Sequence, residues 1–151
     1  MDNDITDWFN TITGVRQGCI LSPQLFNILL QLVISTAIED LVTGIKLQGL
    51  NINNLRFADD IVLMAETEED LQALVTKVHT TSKSFGLTIN IGKTEVQTIS
   101  RTNQPISICI QGEQLNQVQS FTYLGGVINN DSTSSHDIKR RIGLAMGVCR
   151  N

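Results

Sequence analysis

Apolar residues along this chain recur in two rhythms, and the switches between them mark its elements. The run "ILSPQLFNILLQLVISTAI" is apolar almost throughout, broken by Pro23, Gln24, Asn27 and Gln31. Ser22 offers a side-chain cap and Pro23 needs no amide hydrogen at a first helical position, so a helix is predicted over residues 23–40. Its polar residues Gln24, Asn27, Gln31 and Ser35 fall on one narrow stripe, and the rest is apolar. Such a helix is expected to be largely buried. The stripe itself reads either as a solvated edge or as a nucleic-acid contact. A second helix is predicted from Thr67, with Asp70 three residues on in a capping-box position and Glu68 and Glu69 where the helix dipole favours acid. Leu71, Leu74, Val75 and Val78 give it one apolar face, and Gly86 ends it. A third, "HDIKRRIGLAMGVCR", places Ile138, Ile142 and Met146 on one face.

Between the helices the rhythm shortens. "GIKLQGLNINNLRFADDIVLMAE", "LTINIGKTEVQTIS" and "ISICIQGEQLNQVQSFTYLGGVI" read as short strands joined by Gly and Asn turns, one of them at Gln111-Gly112-Glu113. "WFNTIT" suits one further strand, and "NNDSTSS" a polar loop. Helices alternating with antiparallel hairpins predict an α+β domain.

One stretch breaks its own pattern. In "NLRFADDIVLMAE" Asp59 and Asp60 stand side by side within an apolar run. A buried carboxylate without a partner costs several kcal/mol, so it is normally neutralised, paired or metal-bound. Two β-like runs around a short acidic tip predict a hairpin over residues 54–58 and 61–65 with both carboxylates at its turn. At such a tip the pair reads as turn-formers, as an acid–base pair, or as oxygen ligands for Mg²⁺.

Composition narrows the setting. The 151 residues are 41% hydrophobic and 17% charged with 2 prolines, enough for one cored domain and unlike a disordered chain. The net charge of −4 is a handicap for holding phosphates, and the one dense basic cluster is Lys139, Arg140 and Arg141. Cys19, Cys109 and Cys149 form no CxxC pair. With no apolar leader, the expectation is a reduced intracellular setting, nucleus or cytoplasm, and no membrane span.

Four blocks then occur in a telling order: "GVRQGCILSPQLFN", "LRFADDIVLMAE", "GLTINIGKTE" and "FTYLGGVI". They resemble motifs B, C, D and E of the reverse transcriptases of non-LTR (LINE-type) retrotransposons, with FADD as a version of the Tyr-x-Asp-Asp signature. The resemblance covers about residues 14–128. It implies a partial polymerase palm over residues 1–151, an antiparallel sheet with helices packed on one face, with 129–151 starting the connection toward the thumb.

The resemblance also implies roles. Asp59 and Asp60 would be catalytic and hold Mg²⁺ or Mn²⁺, with Asp59 the more demanding ligand. Arg16, Gln17 and Gly18 would lie beside the incoming nucleotide, glycine allowing close approach to the backbone. Lys93 would stand near the triphosphate and protonate or offset the departing pyrophosphate. Tyr123, Leu124 and Gly125 would position the primer end. The implied partners are an RNA template, a DNA primer and deoxynucleoside triphosphates.

The departure from the family pattern is equally specific. A two-metal polymerase of this kind needs a further aspartate on motif A. Asp2, Asp4 and Asp7 precede Gly14, but "MDNDITDWFN" holds no phrase of that type. Two functions therefore stand side by side. One is a fragment of an RNA-directed DNA polymerase, inactive alone and weak in metal binding. The other is a non-catalytic palm relic acting as a binding or structural domain.

Overall fold

The computed structural model describes residues 14–16, 18–100, 104–130 and 135–148. The "WFNTIT" strand, Gln17, Cys149 and most of the "NNDSTSS" loop lie outside them.

Helix α1 spans Ser22–Ile38. Its N-cap is Leu21, with no side-chain cap, and Pro23 sits in the first turn. Ser22 does not cap as its sequence position suggested. Its hydroxyl donates instead to the Arg16 carbonyl at 2.7 Å, closing the loop that enters the helix. Two hairpins follow. Strands β1 (Ile45–Leu47) and β2 (Leu50–Ile52) pair antiparallel, as do β3 (Asn54–Phe57) and β4 (Asp60–Leu63).

Helix α2 spans Glu68–Ser84 and has both ends locally closed. The Thr67 hydroxyl accepts from the Asp70 amide at 3.1 Å. At the far end Gly86 takes φ +76°, and the amides of Gly86 and Leu87 return to the carbonyls of Lys83 and Ser82. That is the paired-bond ending which glycine permits because it lacks a Cβ.

The "LTINIGKTEVQTIS" segment carries less strand than its pattern predicted: a single 3₁₀ turn, Ile91–Lys93, then β5, Glu95–Val96. Beyond it come β6 (Cys109–Ile110), β7 (Glu113–Gln114), β8 (Asn116–Gln117), β9 (Ser120–Tyr123) and β10 (Gly126–Asn129). Helix α3, Ser135–Val148, closes the described chain. The class is α+β as expected, but the strands do not form one antiparallel sheet. They pair as five separate two-stranded ladders, β5 with β8 in parallel and the others antiparallel.

Helix α2 joins the pieces because its apolar face is split between two clusters. Leu74 and Val78 meet Leu30, Ile34 and Ala37 of α1. Val75 meets Val96, Ile108, Ile110 and Leu115. Leu63 of β4 and Ile89 pack against both clusters, so the aspartate-bearing hairpin and the segment leading to Lys93 rest on one core. Polar side chains of α2 extend the join. The Gln72 amide accepts from the Cys109 N–H at 2.7 Å and donates to the Cys109 carbonyl at 2.9 Å. Glu68 accepts from the Ser107 N–H at 2.8 Å, a role beyond the helix-start function its position implied.

The expected burial of α1 is not met. Only Leu30, Val33, Ile34 and Ala37 are buried, while Leu25, Ile28 and Leu32 are 53%, 67% and 53% exposed. The physical reason is geometric: α2 covers one side of a helix that is apolar on more than one. Ile138, Ile142 and Met146 of α3 are likewise exposed. Among the described residues no helix is long and apolar enough to cross a membrane.

Candidate active site

The β3–β4 hairpin carries the acidic pair. Its register sets Phe57 opposite Asp60, Arg56 opposite Ile61, Leu55 opposite Val62 and Asn54 opposite Leu63. Directly opposed residues share a face. Ile61 and Leu63 turn toward the core, so Asp60 shares the outer face with Phe57 and Leu55, both exposed. The two-residue turn is Ala58-Asp59, one position earlier than the sequence pattern suggested, so Asp60 opens β4 rather than capping the tip. Only Asp59 belongs to the turn proper. Both aspartates are exposed, and among the described residues neither carboxylate has a hydrogen-bond or ion-pair partner.

Among the described residues four hairpins close through two residues, and three use a residue followed by glycine: Gln48-Gly49, Gln111-Gly112 and Leu124-Gly125, every one at positive φ. That is the turn whose twist matches paired strands. The aspartate hairpin differs. Ala58 takes φ +52° with an Asp after it, so a side chain sits in the left-handed region without a glycine neighbour. A left-handed alanine costs about 1–2 kcal/mol, and departures of this size gather at functional turns.

The remaining candidates are spread over three other segments. Arg16 and Gly18 lie in the exposed loop before α1, where Gly18 has φ +83° and the Cys19 amide donates to the Arg16 carbonyl at 3.2 Å. In the same loop the Leu21 amide and the Ser22 hydroxyl hold the Cys19 thiol below its ordinary range. Gln17 is outside the described residues. Lys93 ends the 3₁₀ turn and is exposed. Tyr123 ends β9, its ring stacked on that of Phe121 with centroids 6.5 Å apart, and Leu124 and Gly125 form the following turn. This last hairpin is tied to the core strands by Gln97, whose amide donates to the carbonyls of Gln119 at 2.9 Å and Ile128 at 3.1 Å. The shared core joins the acidic hairpin to the Lys93 segment. Among the described residues no direct side-chain bond links the acidic pair to the other candidates.

Sequence reasoning missed Asp137. It accepts from the Val127 amide at 3.0 Å and from Arg140 and Arg141 at 3.2 and 2.8 Å. The signal was present: an acid three and four residues ahead of two arginines is a helical ion-pair pattern. Two members of the Lys139-Arg140-Arg141 cluster, Arg140 and Arg141, are thus paired with the protein's own carboxylate.

The exposed acidic hairpin thus rests on a helix-backed core, with the ordered blocks on either side of it. The chain belongs to the family "Reverse transcriptase (RNA-dependent DNA polymerase)", whose model matches residues 1–128. Within that family it is a reverse transcriptase domain of the non-LTR retrotransposon kind. It is 33% identical over 134 residues to the Pol polyprotein of the type-1 retrotransposable element R2 of Nasonia vitripennis, covering 82% of this chain and 13% of that one. It is 37% identical over 112 residues to the Pol polyprotein of the type-2 element R2DM of Drosophila melanogaster, covering 74% and 10%. A transposon-derived protein of Caenorhabditis elegans is 34% identical over 100 residues, covering 64% and 36%. The chain therefore spans a tenth to about a third of the length of these relatives.

Proposed function

We propose that this chain is the palm portion of an RNA-directed DNA polymerase and that the β3–β4 hairpin is its catalytic element. The observation that carries the reading is the pair Asp59 and Asp60, exposed at one end of a hairpin whose other face is fixed in the core, with both carboxylates free of protein partners among the described residues. Carboxylate oxygens open to water suit Mg²⁺ or Mn²⁺, which take one or two such ligands and keep positions for water and substrate phosphates. Asp59 and Asp60 would hold the metal, and when bound it supplies charge stabilisation at the attacking and leaving oxygens of nucleotidyl transfer. The donor set is short, since no group of three His, Cys, Asp or Glu gathers among the described residues.

The chain's own groups have separate tasks in this reading. Arg16, Gln17 and Gly18 line the incoming nucleotide, and the positive φ of Gly18 supports a backbone close to the ligand. Lys93 offsets charge on the departing pyrophosphate or protonates it. Tyr123, Leu124 and Gly125 hold the primer end against an RNA template. With so few ligands, the chain on its own binds metal weakly and does not extend a primer.

A second reading, a palm without polymerase chemistry that serves as a binding or structural domain, draws on the net charge of −4 and on the arginines already paired with Asp137. Melting with and without Mn²⁺, on wild type and on Asp59→Asn/Asp60→Asn, separates the two. The polymerase reading expects a Mn²⁺-dependent rise in wild type that the double variant loses, with the metal-free melt unchanged or slightly higher as like charges are removed. A double variant that melts much earlier without metal would make the pair structural. Primer extension by the 151-residue chain that vanishes in Asp59→Asn would overturn the expectation that it is inactive alone.

A further inference from the structure

Among the described residues the β9–β10 hairpin is a two-stranded ladder with no third strand, and such a unit is marginal in water by itself. Its Leu124-Gly125 turn therefore cannot owe its place to the ladder alone. Gly126 faces Tyr123 and Val127 faces Thr122 across the pair. Next to a two-residue turn the flanking pair exchanges hydrogen bonds and the following pair does not, so the Val127 N–H points out of the ladder. Asp137, in the first turn of α3, receives that N–H at 3.0 Å. Arg140 donates both to Asp137 at 3.2 Å and to the carbonyl of Gly125, within the turn itself. Arg141 donates to the other carboxylate oxygen at 2.8 Å, and the Asp137 side chain is left only 17% exposed. The Val127 N–H beside the turn and the Gly125 carbonyl within it are thus both bound by α3, while Gln97 holds the open end of the same hairpin.

We propose that Asp137 and Arg140 are positioning residues for primer binding: from helix α3 they clamp the Leu124-Gly125 turn and set where the primer end is held. This rests on the reading of that hairpin as the primer-positioning element. Charge-assisted bonds to backbone groups are stronger and more directional than neutral ones, which suits a clamp that must fix a turn without touching the nucleic acid. Both bonds come from one terminal nitrogen of Arg140, whose two hydrogens are fixed in the guanidinium plane, whereas the hydrogens of a lysine ammonium rotate freely on a flexible stem.

The test uses the 151-residue chain with an RNA template annealed to a DNA primer bearing a 3′-terminal 4-thiothymidine. After irradiation the cross-linked peptide is mapped, and amide exchange at Gly126 and Val127 is followed by NMR. Wild type is expected to cross-link within residues 123–125. Asp137→Asn should lower that yield about fivefold or more and speed Val127 exchange about tenfold, with cross-linking elsewhere unchanged, because local opening reports local clamping. Asp137→Glu, which keeps a carboxylate, should recover about half of the yield or more. Should Asp137→Asn fail to fold, Arg140→Lys takes its place with the same expectation. A wild-type primer that never cross-links at 123–125 overturns the primer reading and this one with it. A primer that does, equally in wild type and in Asp137→Asn, overturns only the clamp.

Discussion

Helices α1 and α2 have the same length, 17 residues, and are held in opposite ways. Helix α2 carries its own instructions: a Thr67 cap, three acids in its first turn, a lysine in its last and a glycine ending. It would be recognisable with its packing removed. Helix α1 has no side-chain cap, no acid in its first turn and no base in its last. Proline starts it, and burial of Leu30, Val33, Ile34 and Ala37 keeps it. Most helical stability in proteins comes from packing of this sort, and α1 depends on it almost entirely. The consequence shows on its surface, where Leu25, Ile28 and Leu32 remain in water because the residues that replace local signals are apolar on several sides. A helix specified by packing is specified only where something packs.

The contrast breaks first at the core. Leu74 is fully buried where the two helices meet, and Leu74→Ala should cost about 2–5 kcal/mol in chemical denaturation, while Leu32→Ala on the open side of α1 should stay within about 0.5 kcal/mol. Comparable losses at both would show that α1 is covered on its outer side as well. The caps give a smaller difference. Thr67→Ala should cost about 1 kcal/mol, and Ser22→Ala a few tenths, since Ser22 bonds a loop carbonyl instead of capping. Turns extend the same logic to the strands. Ala58→Gly relieves the first turn position, removing about 1–2 kcal/mol of left-handed strain against about 0.5–1 kcal/mol of added freedom in the unfolded chain, for a net gain below about 1.5 kcal/mol. A loss there would mean that the alanine methyl itself is packed.

Helix α3 gives the smallest effect and a sign that can be checked by pH. The Val127 amide, with Arg140 and Arg141, holds the Asp137 carboxyl below the ordinary carboxylate value. A depressed folded-state pKa means that the unfolded state takes up the proton more readily. The contribution of Asp137 is therefore complete above the ordinary carboxylate pKa and is lost as pH falls below it, through the folded-state value. Denaturation midpoints measured from pH 5 downward should fall more steeply for wild type than for Asp137→Asn, which has no such proton to gain. Parallel curves would remove the carboxylate from the account of α3 docking.

Which parts of this were legible beforehand follows from the same distinction. Local signals were readable: the start and end of α2, the proline at the head of α1, the Gln111-Gly112 turn and the acidic hairpin. The slip of one residue at Ala58-Asp59 has a cause, because no glycine marks that turn as it marks the other three. What depends on distant partners was not readable. Nothing near Glu95 records that it pairs in parallel with Asn116, and the ladders' failure to merge into one sheet has no sequence mark. The candidate site divides likewise. Asp59, Asp60, Lys93 and Tyr123 stand out in the sequence by the order of their blocks, whereas the charge pattern of Asp137 with Arg140 and Arg141 was present but went unread. That the charge pattern reaches the Val127 amide and the Gly125 carbonyl depends on folding.

The seam between α2 and β6 has a kinetic side. Gln72 and Cys109 are 37 residues apart, and Glu68 and Ser107 are 39 apart. Hairpins form in about 1–10 μs and helix α2 faster still, but a contact of this separation must wait for a long loop to close. A seam of this separation is expected to close late in folding, after the local turns and helix α2. Among the described residues β6 has no strand on that side, and the Ser107 and Cys109 amides find on α2 the partners that a further strand would supply.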